Sequence, residues 1–144
     1  MLVIRKLELQ DAEAVFALAK EVFTMPWSLQ AFAELAEDKN SLFLVAEENG
    51  ILIGGCGLTH ILEEGDIHNV MVAPGFQGRG IATKLMEQLL EVGNRRGISE
   101  YTLEVRVSNA AAIRVYEKLG FRSEGIRPGF YEQPIEDAMI MWKR

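Results

Sequence analysis

The stretch Gln77-Gly78-Arg79-Gly80-Ile81-Ala82-Thr83 places two glycines just ahead of a run with helical apolar spacing. Glycine lets the main chain approach a ligand closely, and a helix start offers unpartnered N–H groups at a positive dipole end. The chemistry on offer is anion binding, phosphate above all. The Rossmann spacing G-x-G-x-x-G would need glycine where Thr83 stands, and a Walker loop needs Gly-Lys-Ser/Thr, which is missing here. A plain structural turn stays open.

A second stretch, Leu103 to Phe121, holds Glu104, Asn109 and Tyr116. Strand alternation turns Tyr101, Leu103, Val105 and Val107 to one face and Thr102, Glu104 and Arg106 to the other. A carboxylate in mid-strand is either paired with a neighbouring Arg or Lys or available to take a proton. Asn109 is a good helix cap, and Tyr116 follows after about 700° of helical rotation, so both look toward one place. A phenol there is a core aromatic or a proton donor.

These residues need a scaffold. The sequence predicts a strand over Leu2–Leu7, a helix capped by Asp11 with Val15, Leu18, Ala19 and Val22 inward, and a second helix after Ser28. Strands over 42–47 and 51–61 flank Asn49-Gly50, a strong hairpin signal because both residues tolerate positive φ. A strand over 66–72 follows a turn at Glu63-Glu64-Gly65. Beyond the glycine loop come a helix bearing Ile81, Leu85, Leu89 and Val92, a strand over 101–107, a helix over 109–119 closed by Gly120, and strands over 121–127 and 136–143. The order predicts a mixed α/β sheet, mostly antiparallel with a central parallel pair, flanked by about four helices. At 144 residues the chain suits one domain spanning 1–144.

Composition narrows the classes. The formal charge of −6 argues against nucleic-acid binding and fits a cationic partner. Met1 to Leu7 is too short for a signal peptide, and no run nears the roughly 18 apolar residues of a membrane span, so the expectation is a cytoplasmic chain free of the membrane. The single cysteine, Cys56, sits in an apolar run and reads as a buried core residue rather than a nucleophile. His60 and His68 lack companions at ligand spacing, so no metal is expected. Glu63, Glu64 and Asp66, and likewise Glu132, Glu136 and Asp137, are either solvated charges or an acidic rim around a cationic substrate.

Gln77, Gly80 and Ala82 also meet the pattern Gln/Arg-x-x-Gly-x-Gly/Ala, and the strand Asn69 to Val72 with its Ala73-Pro74 exit precedes it. Here the chain resembles the GNAT superfamily of N-acetyltransferases. The pattern Leu-Glu-Val-Arg-x-Ser-Asn-x-x-Ala-x-x-x-Tyr-x-x-x-Gly-Phe over 103–121 resembles its branch that acetylates the N-terminal alanine of a small-subunit ribosomal protein. The likeness includes Met25-Pro26-Trp27-Ser28 and Tyr131 with Glu136-Asp137-Ala138.

The resemblance implies acetyl-CoA as donor, with Gln77, Gly78, Arg79, Gly80, Ile81, Ala82 and Thr83 around the pyrophosphate. It implies pantetheine pairing and carbonyl polarisation by the main chain of Val70, Met71 and Val72, a CoA contact from Asn109, and acceptor contacts from Trp27 and Tyr131. Glu104 falls on the general base and Tyr116 on the general acid of a direct transfer. The implied partner is the N-terminus of a basic ribosomal protein. A small-amine acetyltransferase and a silent acetyl-CoA sensor are the alternatives. The chemistry suits an α-amine, since deprotonating it at pH 7 costs roughly 1 to 1.4 kcal/mol against about 4 to 5 for a lysine.

Overall fold

The computed structural model describes all residues, 1–144. Strands β1 (Leu2–Lys6), β2 (Ser41–Glu48), β3 (Ile51–Ile61), β4 (Glu64–Val72), β5 (Glu100–Arg106), β6 (Arg122–Tyr131) and β7 (Glu136–Lys143) form one sheet in the order β1-β2-β3-β4-β5-β7-β6. Every neighbouring pair is antiparallel except β4–β5. Four α-helices accompany them: α1 (Ala12–Val22), α2 (Leu29–Leu35), α3 (Ile81–Arg95) and α4 (Ala110–Lys118). The mixed architecture expected from the sequence is the one observed.

Two layers of helices make both sheet faces interior. Leu42, Leu44 and Ala46 of β2 pack into one cluster with Leu85, Met86 and Leu89 of α3, while Phe43 and Val45 point the other way, to Val15, Leu18 and Phe32 of α1 and α2. That is why β2 reads as a continuous apolar run instead of alternating. Asn49 and Gly50 close the β2–β3 hairpin with φ of 53° and 80°, and the Ser28 hydroxyl accepts the Ala31 N–H at 3.1 Å to open α2.

Three local expectations are corrected. Asp11 makes no side-chain cap on α1; its carboxylate accepts the Glu8 N–H at 2.8 Å and both Nη groups of Arg5 at 2.8 and 2.9 Å. The guanidinium across the gap from β1 outcompetes the helix end. The turn after β3 is Leu62-Glu63, because Ile61 pairs with Glu64 and the ladder begins there. β6 runs four residues past Arg127, to Tyr131, with its register broken between those two.

The parallel pairing of β4 with β5 is short. Only Glu64, Gly65 and Asp66 are in register with Glu100, Tyr101 and Thr102. Past that point the strands part, and β4 also carries an extra residue: Gly55 faces Met71 but Gly57 faces His68, so Asn69 and Val70 share the place opposite Cys56. Such a bulge bends its strand and increases twist, and Asn69 has φ of 54°. The middle of the sheet therefore splits open.

Beside the bulge the strands crowd Gly57. A Cβ there would meet the Phe43 ring at 2.5 Å, the His68 ring at 3.0 Å and the Leu42 carbonyl at 3.1 Å. Gly57→Ala should cost about 1–3 kcal/mol by overpacking, seen as a lower urea midpoint at unchanged slope. Gly75→Ala, where a Cβ meets nothing within 4 Å, should stay within about 0.5 kcal/mol.

Candidate active site

The split between β4 and β5 opens into a cleft of about 860 Å³, lined by β4 from Asp66, β5 from Leu103, the starts of α3 and α4, and the segments around Trp27 and Tyr131. Where two strands part, N–H and C=O groups lose their ladder partners, and such groups call for others. A ligand running along β4 can supply them.

At one end lies the glycine loop. Gly78 and Gly80 have φ of 80° and 76°, and a Cβ on either would meet nothing within 4 Å, so conformation, not space, demands glycine. Gly80 caps α3 with no side-chain hydrogen bond, and the first turn holds no acidic residue. The N–H groups of Ile81, Ala82 and Thr83 thus start a 15-residue helix unpartnered by any cap. Gln77 Nε2 donates to the Val72 carbonyl at 3.2 Å and ties the loop to the end of β4. Ile81, Met71 and Val72 bury their side chains in the core, so main chain is what they offer the cleft. Arg79 is not part of the lining. Its guanidinium reaches Glu48 Oε1 at 3.0 Å and lies 5.3 Å from the centre of the Phe76 ring.

At the other end are the groups that could move protons. Glu104 faces the cleft from β5, and Arg127 Nη1 lies 3.0 Å from its Oε2. The arginine is half exposed, so the pair contributes little and a competing cation can displace it. Asp66 lies at the rim, its carboxyl raised by desolvation and then by the carboxylates of Glu104 and Glu64. Tyr116 is buried on α4 against Phe121. Burial first, then the proximity of Cys56 and Tyr131, raises its phenol and keeps it protonated. Asn109 Oδ1 accepts the Ala112 N–H at 3.2 Å, which fixes the start of α4 at the cleft.

Trp27 stands on His68, with ring centres 4.5 Å apart, and also against Phe32 at 5.9 Å. His68 Nδ1 accepts from Asn69 Nδ2 at 3.0 Å, and Nε2 faces Thr59 Oγ1 at 3.4 Å, an arrangement met by the tautomer protonated on Nε2. Tyr131 lies under the Arg106 guanidinium at 4.5 Å, its phenol pushed up to about 12 chiefly by burial. His68, Arg106 and Arg127 carried no assigned role in the sequence, and Asp66 only that of a solvated charge or part of an acidic rim. Alternation had placed Arg106 on the Glu104 face, which was a usable signal; His68 reaches the site only through packing across the sheet. No group of three or more His, Cys, Asp or Glu is placed to hold a metal, and no helix is long and apolar enough to cross a membrane.

Residues 12–121 match the acetyltransferase (GNAT) family. The chain belongs to the GNAT acetyltransferase family. It is 34% identical over 140 residues to the [ribosomal protein bS18]-alanine N-acetyltransferase of Escherichia coli K12, covering 96% of this chain and 94% of that protein. The same-named protein of Salmonella typhimurium is 36% identical over 135 residues, with 91% and 89% covered. The crystal structure of the Escherichia coli ribosomal-protein-S18-alanine N-acetyltransferase superposes with a TM-score of 0.92, covering 99% of this chain and 93% of that one.

As a GNAT enzyme the protein is an acetyl-CoA-dependent N-acetyltransferase. The residues present fit that donor. Phosphate oxygens need converging N–H donors and no side chain in the way, which the loop from Gly78 to Thr83 provides, and an extended arm needs a free strand edge, which β4 provides past Asp66.

Burial pushes His68 down to about 4, so the ring stays neutral well below the ordinary midpoint near 6.5. Between those values the unfolded chain takes up a proton that the folded one refuses, and stability falls as pH falls. Nuclear magnetic resonance should show no titration of His68 between pH 8 and 5, and His68→Phe should lose less stability than the parent between pH 7 and 4.5. A midpoint near 6.5 would contradict this environment.

Proposed function

We propose that this enzyme acetylates the N-terminal α-amine of a protein in the cytoplasm, with the N-terminal alanine of ribosomal protein bS18 as the acceptor. The observation that carries the reading is that Glu104 and Tyr116 share one cleft with the glycine loop. Similarity to the bS18-alanine enzymes over nearly the whole chain supports this acceptor.

In this reading the pyrophosphate of acetyl-CoA rests on the N–H groups of Gly78 to Thr83 beside Gln77, with Asn109 as a further contact. The pantetheine arm follows Val70 to Val72, and one N–H of that strand donates to the thioester carbonyl. Donors already in place for a developing oxyanion need no reorganisation. The acceptor enters between Trp27 and Tyr131, and its ammonium replaces the Arg127 guanidinium at Glu104. Glu104 takes a proton from the amine, directly or through water. The amine lone pair then forms the C–N bond, the C–S bond breaks as the Tyr116 phenol gives its proton to the departing sulfur, and the second proton of the attacking nitrogen passes through water to restore the phenol, while Glu104 releases its own to solvent.

No covalent acyl-enzyme is needed. Cys56 is fully buried, and burial raises its thiol, which removes the thiolate that a nucleophile requires. Acetyl-CoA incubated with the enzyme alone should leave Cys56 unmodified in intact-mass spectra.

A peptide carrying the bS18 N-terminal sequence should be acetylated on its α-amine, while a panel of polyamines, amino acids and aminoglycosides should react far more slowly. The reverse order would sink the acceptor assignment. Glu104→Gln and Tyr116→Phe should each lower kcat by about 10²- to 10⁴-fold with CoA binding retained in a thermal-shift titration. Parent-like turnover in the double variant would show that neither residue moves a proton.

A further inference from the structure

Arg106 ends β5, two residues beyond Glu104 on the same strand face. Its guanidinium reaches parts of the chain that share no secondary structure. Nη1 donates to the Pro134 carbonyl at 3.0 Å and to Glu136 Oε1 at 3.2 Å, and Nη2 donates to the Glu132 carbonyl at 3.1 Å and to Thr24 Oγ1 at 3.4 Å. Its flat face covers the Tyr131 ring at 4.5 Å. The other oxygen of Glu136 accepts the Ser108 N–H at 2.7 Å, which holds the far side of the clasp.

Thr24, Tyr131 and Glu132 all line the cleft, and so does Arg106 itself. Thr24 belongs to the segment after α1 and Glu132 to the turn between β6 and β7. Both lie outside helices and strands, so regular backbone ladders do not fix them. We propose that Arg106 is a positioning residue for the acceptor: it clamps the Thr24 segment and the 132–135 turn to the end of β5 and seats Tyr131 at the cleft mouth. The assignment rests on the reading of this end of the cleft as the acceptor end.

The geometry requires arginine. Four hydrogen bonds in several directions plus a stacked ring use both the fork and the flat face of a guanidinium, whereas a lysine offers a compact ammonium that can keep Glu136 but not the ring and Thr24 together. The clasp meets the donor side at the Ser108 N–H alone, beside Asn109, and shares no hydrogen bond with the glycine loop. The loop from Gln77 to Thr83 is held instead by Gln77 on Val72 and by α3.

Arg106→Lys in the full chain tests this. Peptide KM should rise about tenfold while acetyl-CoA KM stays within twofold. Backbone amides of 23–25 and of Glu132, Gln133 and Ile135 should exchange faster together, with protection along α3 unchanged. Glu136→Gln, a milder cut of the same clasp, should move peptide KM in the same direction by about threefold, and it serves if Arg106→Lys folds poorly. An unchanged peptide KM, an equal rise in acetyl-CoA KM, or loosening of one segment alone would overturn the proposal. Should the parent prefer a small amine, the protein-acceptor reading fails on its own, and the same KM split measured with that amine decides the role of Arg106 separately. Should no acceptor react, the exchange measurement decides it.

Discussion

The site depends on a pairing that stops early. β4 and β5 are parallel neighbours for three residues and then diverge, and everything the cleft does follows from that gap. A sheet that stayed closed would satisfy its own N–H and C=O groups and leave nothing for a ligand. The divergence is supported from both sides: the bulge at Asn69-Val70 bends β4, while β5 stays with β7 through six register pairs. A Cβ on Gly65 would lie only 3.3 Å from both Ile98 and Tyr101, so glycine there lets the strands meet tightly just before they part.

The cleft is electrically two-ended. The glycine loop end presents N–H groups at the positive pole of α3 and no acidic residue in the first turn, which suits a diphosphate. The other end presents Glu104 and Asp66, which suits an ammonium. The walls between them are neutral near pH 7, because burial disfavours the charged forms of His68, Tyr116 and Tyr131 alike. In the proposed reading, a donor carrying phosphates and an acceptor carrying a cation approach from opposite ends of one channel and meet in its middle. That reading has the acceptor displace Arg127, whose contact with Glu104 is half exposed and so weak.

Local signals in the sequence were legible where the physics is local. Asn49-Gly50, the Ser28 and Asn109 caps, the glycine loop and the strand face shared by Glu104 and Arg106 all lie within a few residues of what they determine. The errors fell where a distant partner decides. Asp11 forgoes its helix cap for Arg5 on β1, and the turn after β3 is set by its register with β4. Within the site, the same limit hid His68 beneath Trp27, Arg127 on Glu104, and the reach of Arg106 to Thr24, 82 residues away. Spacing along a chain orders residues on faces; it does not say which faces meet.

Whether the split sheet is the donor site is tested most directly by amide chemical-shift mapping of the ¹⁵N-labelled protein on titration with acetyl-CoA. The largest shifts should fall on Gly78 to Thr83, at the uncapped start of α3, and on Val70 to Val72, on β4 past the end of its pairing with β5, with β1, β2 and α2 unmoved. Shifts concentrated away from that gap, or a β4 that stays silent while the loop responds, would contradict a donor site built on the split sheet.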